Sequence, residues 1–118
     1  MATPNAILIH GNGGCTAVDI WFPWLERELT ALGVAVTNET FPDNMKARAQ
    51  FWLPHIAALG ADEHTILIGH SSGAVAAMRY AETHRLLGSI LLPHQAWDET
   101  PCQENKTPPV SLPLSLFL

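Results

Sequence analysis

A serine held between two short apolar elements constrains this chain more than any other feature. Thr65-Ile66-Leu67-Ile68 is a run of aliphatic and β-branched residues, and Ala74-Val75-Ala76-Ala77-Met78-Arg79-Tyr80-Ala81-Glu82 is alanine-rich. Gly69-His70-Ser71-Ser72-Gly73 alone lies between them. β-branched residues favour a strand and alanine favours a helix. The pattern therefore predicts a strand, a tight turn and a helix, with Ser71 at the apex. Such a turn brings strand and helix nearly into contact, so the positions two before and two after the serine must be small. Gly69 and Gly73 fill both. A strained backbone at the apex lifts the serine hydroxyl clear of the sheet edge.

A bare G-x-S-x-G arises by chance in roughly one chain in twenty-five of this length, so the flanking strand and helix carry the signal. In that setting the pentapeptide reads as the nucleophile elbow of an α/β-hydrolase. Ser71 is then the candidate nucleophile, and Ser72 supplies a backbone N–H to an oxyanion hole. The competing reading is a structural Gly-Ser turn.

The rest of the chain agrees with that setting. Ala6-Ile7-Leu8-Ile9 is a short, fully apolar run, as expected of a strand in a buried parallel sheet, and it enters the flexible turn His10-Gly11-Asn12-Gly13-Gly14. Val18, Trp21, Leu25, Leu29 and Leu32 recur at helical spacing, with Pro23 near the start and Gly33 at the end. Val34 to Thr37 reads as a second strand. Met45, Trp52, Ile56 and Leu59 form the stripe of a second helix, in which Pro54 predicts a kink or a break. Gly60 to Glu63 is a loop, His84 and Arg85 suit a helix C-terminus, and Ser89 to Leu92 is a fourth strand. Alternating strands and helices predict an α/β fold, a parallel sheet with helices on both faces. Four strands make only the first part of a hydrolase sheet, and Ser89 to Leu92 is expected at an exposed, aggregation-prone edge.

Composition narrows the function. The 118 residues suffice for one small domain with a core, and 47% are hydrophobic against 14% charged. The net charge is −5 and no basic stripe is present, which argues against a nucleic-acid partner. The first apolar run is too short for a leader, and nothing has the length of a membrane span. Cys15 and Cys102 form no C-x-x-C pair, so reduced thiols and a cytoplasmic location, with the nucleus as a further one, are expected. The six histidines lack metal-ligand spacing, so no metal is expected, nor any cofactor. The first glycine turn has Thr16 where a dinucleotide fingerprint needs its third glycine, which argues against a nucleotide-binding module.

Gly11-Asn12-Gly13-Gly14, Trp52-Leu53-Pro54 and Ile68 to Ala74, with Ala76 to Arg85, closely resemble the retinoblastoma-binding protein 9 family of serine hydrolases. The resemblance covers about residues 4–92 and implies an α/β-hydrolase-like fold, a Ser-His-Asp triad with Ser71 as nucleophile, and a small-molecule or peptide ester or amide as substrate. It implies a second oxyanion donor in the first glycine turn, for which Asn12 is chosen. The family is named for an L-x-C-x-E segment that binds retinoblastoma-type pocket proteins. Here Leu59-Gly60-Ala61-Asp62-Glu63 has Ala61 in place of the cysteine, which argues against that partner.

From Pro93 the character changes: four of the nine prolines fall between Pro101 and Pro113, and no period survives. Residues 1–92 are read as the N-terminal part of an α/β-hydrolase domain, and 93–118 as a non-homologous, disordered tail on a C-terminally truncated chain. The triad order is Ser, acid, His. After Ser71 the only histidines are His84 and His94. His84 lies too far along the elbow helix to reach the serine. His94 follows the fourth strand at the carboxyl rim and is the possible substitute base, with Asp98 or Glu99 to orient it. Without an assembled base the expectation is a weak or inactive hydrolase; the alternative is a non-catalytic interaction variant of the same fold.

Overall fold

A computed structural model describes residues 3–92. The element order is β1 (Asn5–Ile9), α1 (Phe22–Ala31), β2 (Ala35–Thr37), α2 (Ala49–Ala58), β3 (Thr65–His70), α3 (Ser72–Ala81) and β4 (Gly88–Leu92). The four strands form one parallel sheet in the order β2-β1-β3-β4. The central strands β1 and β3 are the most buried, because both of their faces are covered.

Each face has its own core. On one side Phe22, Leu25 and Leu29 of α1 pack with Ala6, Leu8, Ile68 and Trp21. On the other, Trp52 and Ile56 of α2 and Ala76, Ala77 and Tyr80 of α3 pack with Ile7, Ile9, Phe41 and Leu67. Successive residues of β1 thus alternate between the cores, as the two-residue strand period requires. Helices cover both faces, as expected.

Two expectations on helix stripes need correction. Val18 and Leu32 are 54% and 61% exposed, because the first helix spans only Phe22–Ala31 and Phe22 takes the buried place. Met45 is 65% exposed and sits in the turn before α2, where Asp43 and Ala47 take positive φ. Of the kink or break expected at Pro54, the break is absent: α2 runs through it. The bond it removes would have gone to the Gln50 carbonyl, which lies in the exposed first turn where water can satisfy it. Gly33 does end the α1 region, at φ 86°.

Among the described residues β4 pairs only with β3 and is the edge of the sheet they form. The readings placed on 93–118, including His94, Asp98 and Glu99, lie outside the described residues. Among the described residues no helix is long and apolar enough to cross a membrane.

Candidate active site

The site grows from the junction of β3 and α3. Ser71 has φ 58° and ψ −118°, a backbone conformation that L side chains rarely adopt. Its N–H donates to the Leu92 carbonyl at 2.9 Å, and its carbonyl accepts from Ala74 at 2.9 Å and Val75 at 3.3 Å. Strand, edge and helix thus hold the strained residue from both sides.

The two glycines are required by close approach. A Cβ on Gly69 would overlap the Gly73 carbonyl and the Ala74 nitrogen, and one on Gly73 would overlap the Ile9 and His10 carbonyls. These are backbone atoms, so no rotamer change relieves either overlap. Gly11 lies beside the serine with more room: its Cβ would stand in ordinary contact, 3.4 Å from the Ser71 Cβ. β1 and β3 are paired with Ile9 opposite Gly69, which brings the first glycine turn beside the serine.

Ser72 and Asn12 meet directly. The Ser72 hydroxyl donates to Asn12 Oδ1 at 2.6 Å, joining the two turns across 60 positions of sequence. Ser72 is also the first residue of α3, so its N–H has no intrahelical partner. The positive end of the helix dipole faces the same place and favours developing negative charge.

His10, fully buried, was not foreseen as part of the site. Its Nε2 accepts the Phe41 N–H at 2.8 Å, and its Nδ1 lies 2.8 Å from the Gly11 carbonyl. An amide can only donate and a carbonyl can only accept, so Nδ1 carries the proton and the ring is neutral. Burial, above all, holds its pKa below the ordinary 6.5; the Gly11 carbonyl and Asp19 oppose that shift, and His55 adds to it. Phe41 and Trp52 pack edge-on to the ring at 5.6 and 5.4 Å. The only local hint was the His-Gly pair, because the main partner lies 31 positions away.

The glycine turn is stapled further to the segment before α2. Gly13 and Gly14 donate to Met45 and Asn44 at 3.1 Å, and Asn44 Nδ2 donates to the Cys15 carbonyl at 2.8 Å. Cys15 is buried and is not a free thiol, which corrects the expectation of a reduced cysteine there.

No described histidine or carboxylate hydrogen-bonds the Ser71 hydroxyl. His84 instead stacks on Tyr80 at 3.9 Å and lies 3.1 Å from the Tyr80 carbonyl, a role at the end of α3. Ala61 is half-buried against the second core in the loop between Leu59 and Thr65, where Asp62 and Thr65 bond to each other. Among the described residues no cluster of three or more His, Cys, Asp or Glu is placed to hold a metal ion.

A parallel sheet covered on both faces, with a sharp strand-to-helix turn at its carboxyl rim, defines the class as the α/β-hydrolase fold. The chain belongs to the serine hydrolase family, which it matches over residues 6–110, past Leu92 and into the segment expected to fall outside the resemblance. It is 45% identical over 96 residues to serine hydrolase RBBP9 of Rattus norvegicus, covering 78% of this chain and 52% of that protein. It is 33% identical over 95 residues to the putative hydrolase YdeN of Bacillus subtilis, covering 76% and 50%. The crystal structure of the B. subtilis ydeN gene product superposes with a TM-score of 0.62 at 31% identity, over 71% of this chain and 46% of that one. An extracellular α/β-hydrolase from a Paenibacillus species superposes with a TM-score of 0.57 at 19% identity, over 75% and 39%, a likeness of fold alone. The chain spans about half the length of the curated relatives it matches.

Proposed function

We propose that Ser71 is the nucleophile of a serine hydrolase site acting on an ester or amide bond. The Ser71 hydroxyl gives up its proton to a base and attacks the carbonyl carbon, and the N–H groups of Ser72 and Asn12 hold the oxyanion. The ester or amide bond breaks and its alcohol or amine leaves with a proton, and water then hydrolyses the acyl–Ser71 ester. Gly69 and Gly73 permit the turn. One observation carries this reading: Ser71 holds a strained backbone at the start of α3, where a helix N-terminus and a second glycine turn converge. Family membership supports the reaction class.

The described residues supply no base to Ser71, so the proposed chain is a weak or inactive catalyst by itself. An oxyanion hole and binding without a triad leave only residual rate. His94 is the substitute base to test. Leu92, in register with His70, ends two residues before it. The second reading, a non-catalytic interaction protein of the same fold, is favoured by that same lack of a base and by the β4 edge. Neither reading uses a retinoblastoma-type pocket protein, since Ala61 replaces the cysteine such a segment needs. The proposed location is the cytoplasm or nucleus, on the sequence reading alone; Cys15 does not support it.

Fluorophosphonate labelling of the folded chain beside Ser71→Ala tests the proposal. Labelling lost only in the variant supports an activated serine, and His94→Ala then asks for its base. A folded chain that does not label sinks the catalytic reading and leaves the interaction reading.

A further inference from the structure

We infer that His10 is a positioning residue for the oxyanion turn, holding the Gly11–Asn12 peptide so that the Asn12 N–H is aimed away from the core and toward the rim where Ser71 sits. The inference rests on the serine-hydrolase reading of Ser71 and adds a residue that acts through Asn12.

The argument starts from the peptide plane. In a trans peptide the C=O of one residue and the N–H of the next point in opposite directions. No cis peptide occurs among the described residues. Fixing the Gly11 carbonyl therefore fixes the direction of the Asn12 N–H. His10 does that fixing: its Nδ1–H donates to the Gly11 carbonyl at 2.8 Å from a ring that is 1% exposed. The carbonyl is drawn inward, so the next N–H points outward.

The ring itself cannot turn freely. Its other nitrogen accepts the Phe41 N–H at 2.8 Å, and Phe41 and Trp52 pack edge-on against it. Trp52 is held in turn by its Nε1–H donating to the Pro42 carbonyl at 2.7 Å. Ring rotation by half a turn would put carbons Cδ2 and Cε1 where the two nitrogens stand, and both hydrogen bonds would be lost. On the outer side, the Ser72 hydroxyl holds the Asn12 side chain at 2.6 Å. The backbone of the turn is thus set from below by His10, and its side chain from above by Ser72. Gly11, between them, abuts Ser71.

A fold staple without a part in the reaction would lower stability and nothing else, so the test reads direction and reactivity. His10→Phe keeps an aromatic ring and removes both hydrogen bonds; His10→Gln returns a donor and an acceptor. The residual dipolar coupling of the Asn12 N–H reports its orientation whether or not Ser71 reacts. It should change in His10→Phe, recover at least in part in His10→Gln, and leave the couplings of Leu8 and Ile68 in place. The fluorophosphonate labelling rate of Ser71 should fall about 10- to 100-fold in His10→Phe, below the loss seen when an oxyanion donor is deleted outright, and recover in part in His10→Gln. An unchanged Asn12 coupling overturns the inference, and so does a changed coupling with an unchanged rate. If the parent does not label, the serine-hydrolase reading has failed, and the coupling alone decides the positioning. If His10→Phe does not fold, the ring nitrogen shifts of the parent decide: a protonated Nδ1 and a bare Nε2 are required, and the opposite tautomer refutes the inference.

Discussion

Gly73→Ala should be among the most damaging single-methyl changes available to this protein. The added Cβ would overlap the carbonyls of Ile9 and His10, which are backbone atoms of β1 and the residue after it. β1 is flanked by β2 and β3, so it cannot retreat within the sheet. Overpacking against movable side chains costs about 1–3 kcal/mol. Against fixed backbone the top of that range is the floor, so a loss of about 3 kcal/mol is expected. A chain of this size has a total stability of about 6–18 kcal/mol, so the loss is a large share. Each kcal/mol moves the midpoint of a small domain by about 4–8 °C, giving a drop of at least about 12 °C. Two controls separate crowding from other glycine effects. A Cβ on Gly13 meets nothing within 4 Å, but its φ is 80°, so Gly13→Ala should cost about 1–2 kcal/mol in backbone strain alone. A Cβ on Gly88 also meets nothing within 4 Å, and its φ is not positive, so Gly88→Ala should stay within about 0.5 kcal/mol of the parent. Thermal melts followed by far-UV circular dichroism, repeated in urea, would rank the three. A Gly73→Ala protein melting within about 3 °C of the parent would refute the claim that helix and strand touch at the serine turn.

Ser71→Gly should raise stability by about 1–3 kcal/mol while abolishing labelling, because glycine adopts φ 58° without strain; a lower melting point would contradict stored strain at that residue. His10 predicts a pH dependence. Its folded pKa lies below 6.5, so between the two values the unfolded chain binds more protons and stability rises with pH. The contribution is therefore present above about pH 6.5 and is lost on acidification, with Asp19 opposing the shift and His55 adding to it. Urea midpoints across that range should slope in the parent and flatten in His10→Phe; equal slopes would rule His10 out as the source. Thr65→Val should cost about 1–3 kcal/mol. The Thr65 hydroxyl is buried, donates to Asn5 Oδ1 at 2.7 Å and accepts the Asp62 N–H at 2.9 Å, so urea unfolding of Thr65→Val with an unchanged midpoint would mean that water replaces both bonds.

Much of this protein was legible in its sequence because the rules involved are local. Runs of four mostly apolar residues marked the strands, most of them with glycine or proline close by. The serine turn was the clearest case. Gly69 is dictated by backbone contact with Gly73 and Ala74 of the next element, so the spacing of the pentapeptide required it, whereas the contact that requires Gly73 comes from Ile9 and His10, in β1 and just after it. Helix stripes were read less well. Val18, Leu32 and Met45 keep the helical period but lie outside the helices that formed, and the period says nothing about where a helix stops.

What only the tertiary structure decided is which distant segments meet. The strand order β2-β1-β3-β4 sets β1 beside β3, and that pairing brings Gly11 and Asn12 against Ser71 and Ser72. Phe41, in the segment between β2 and α2, is a buried core residue and the donor to His10. The tautomer of His10 and the depression of its pKa follow from that contact and from burial. No periodicity encodes them. A hydrogen bond between residues 31 positions apart depends on how the sheet is wound, and a ring nitrogen acquires its role from the group that the fold places opposite it.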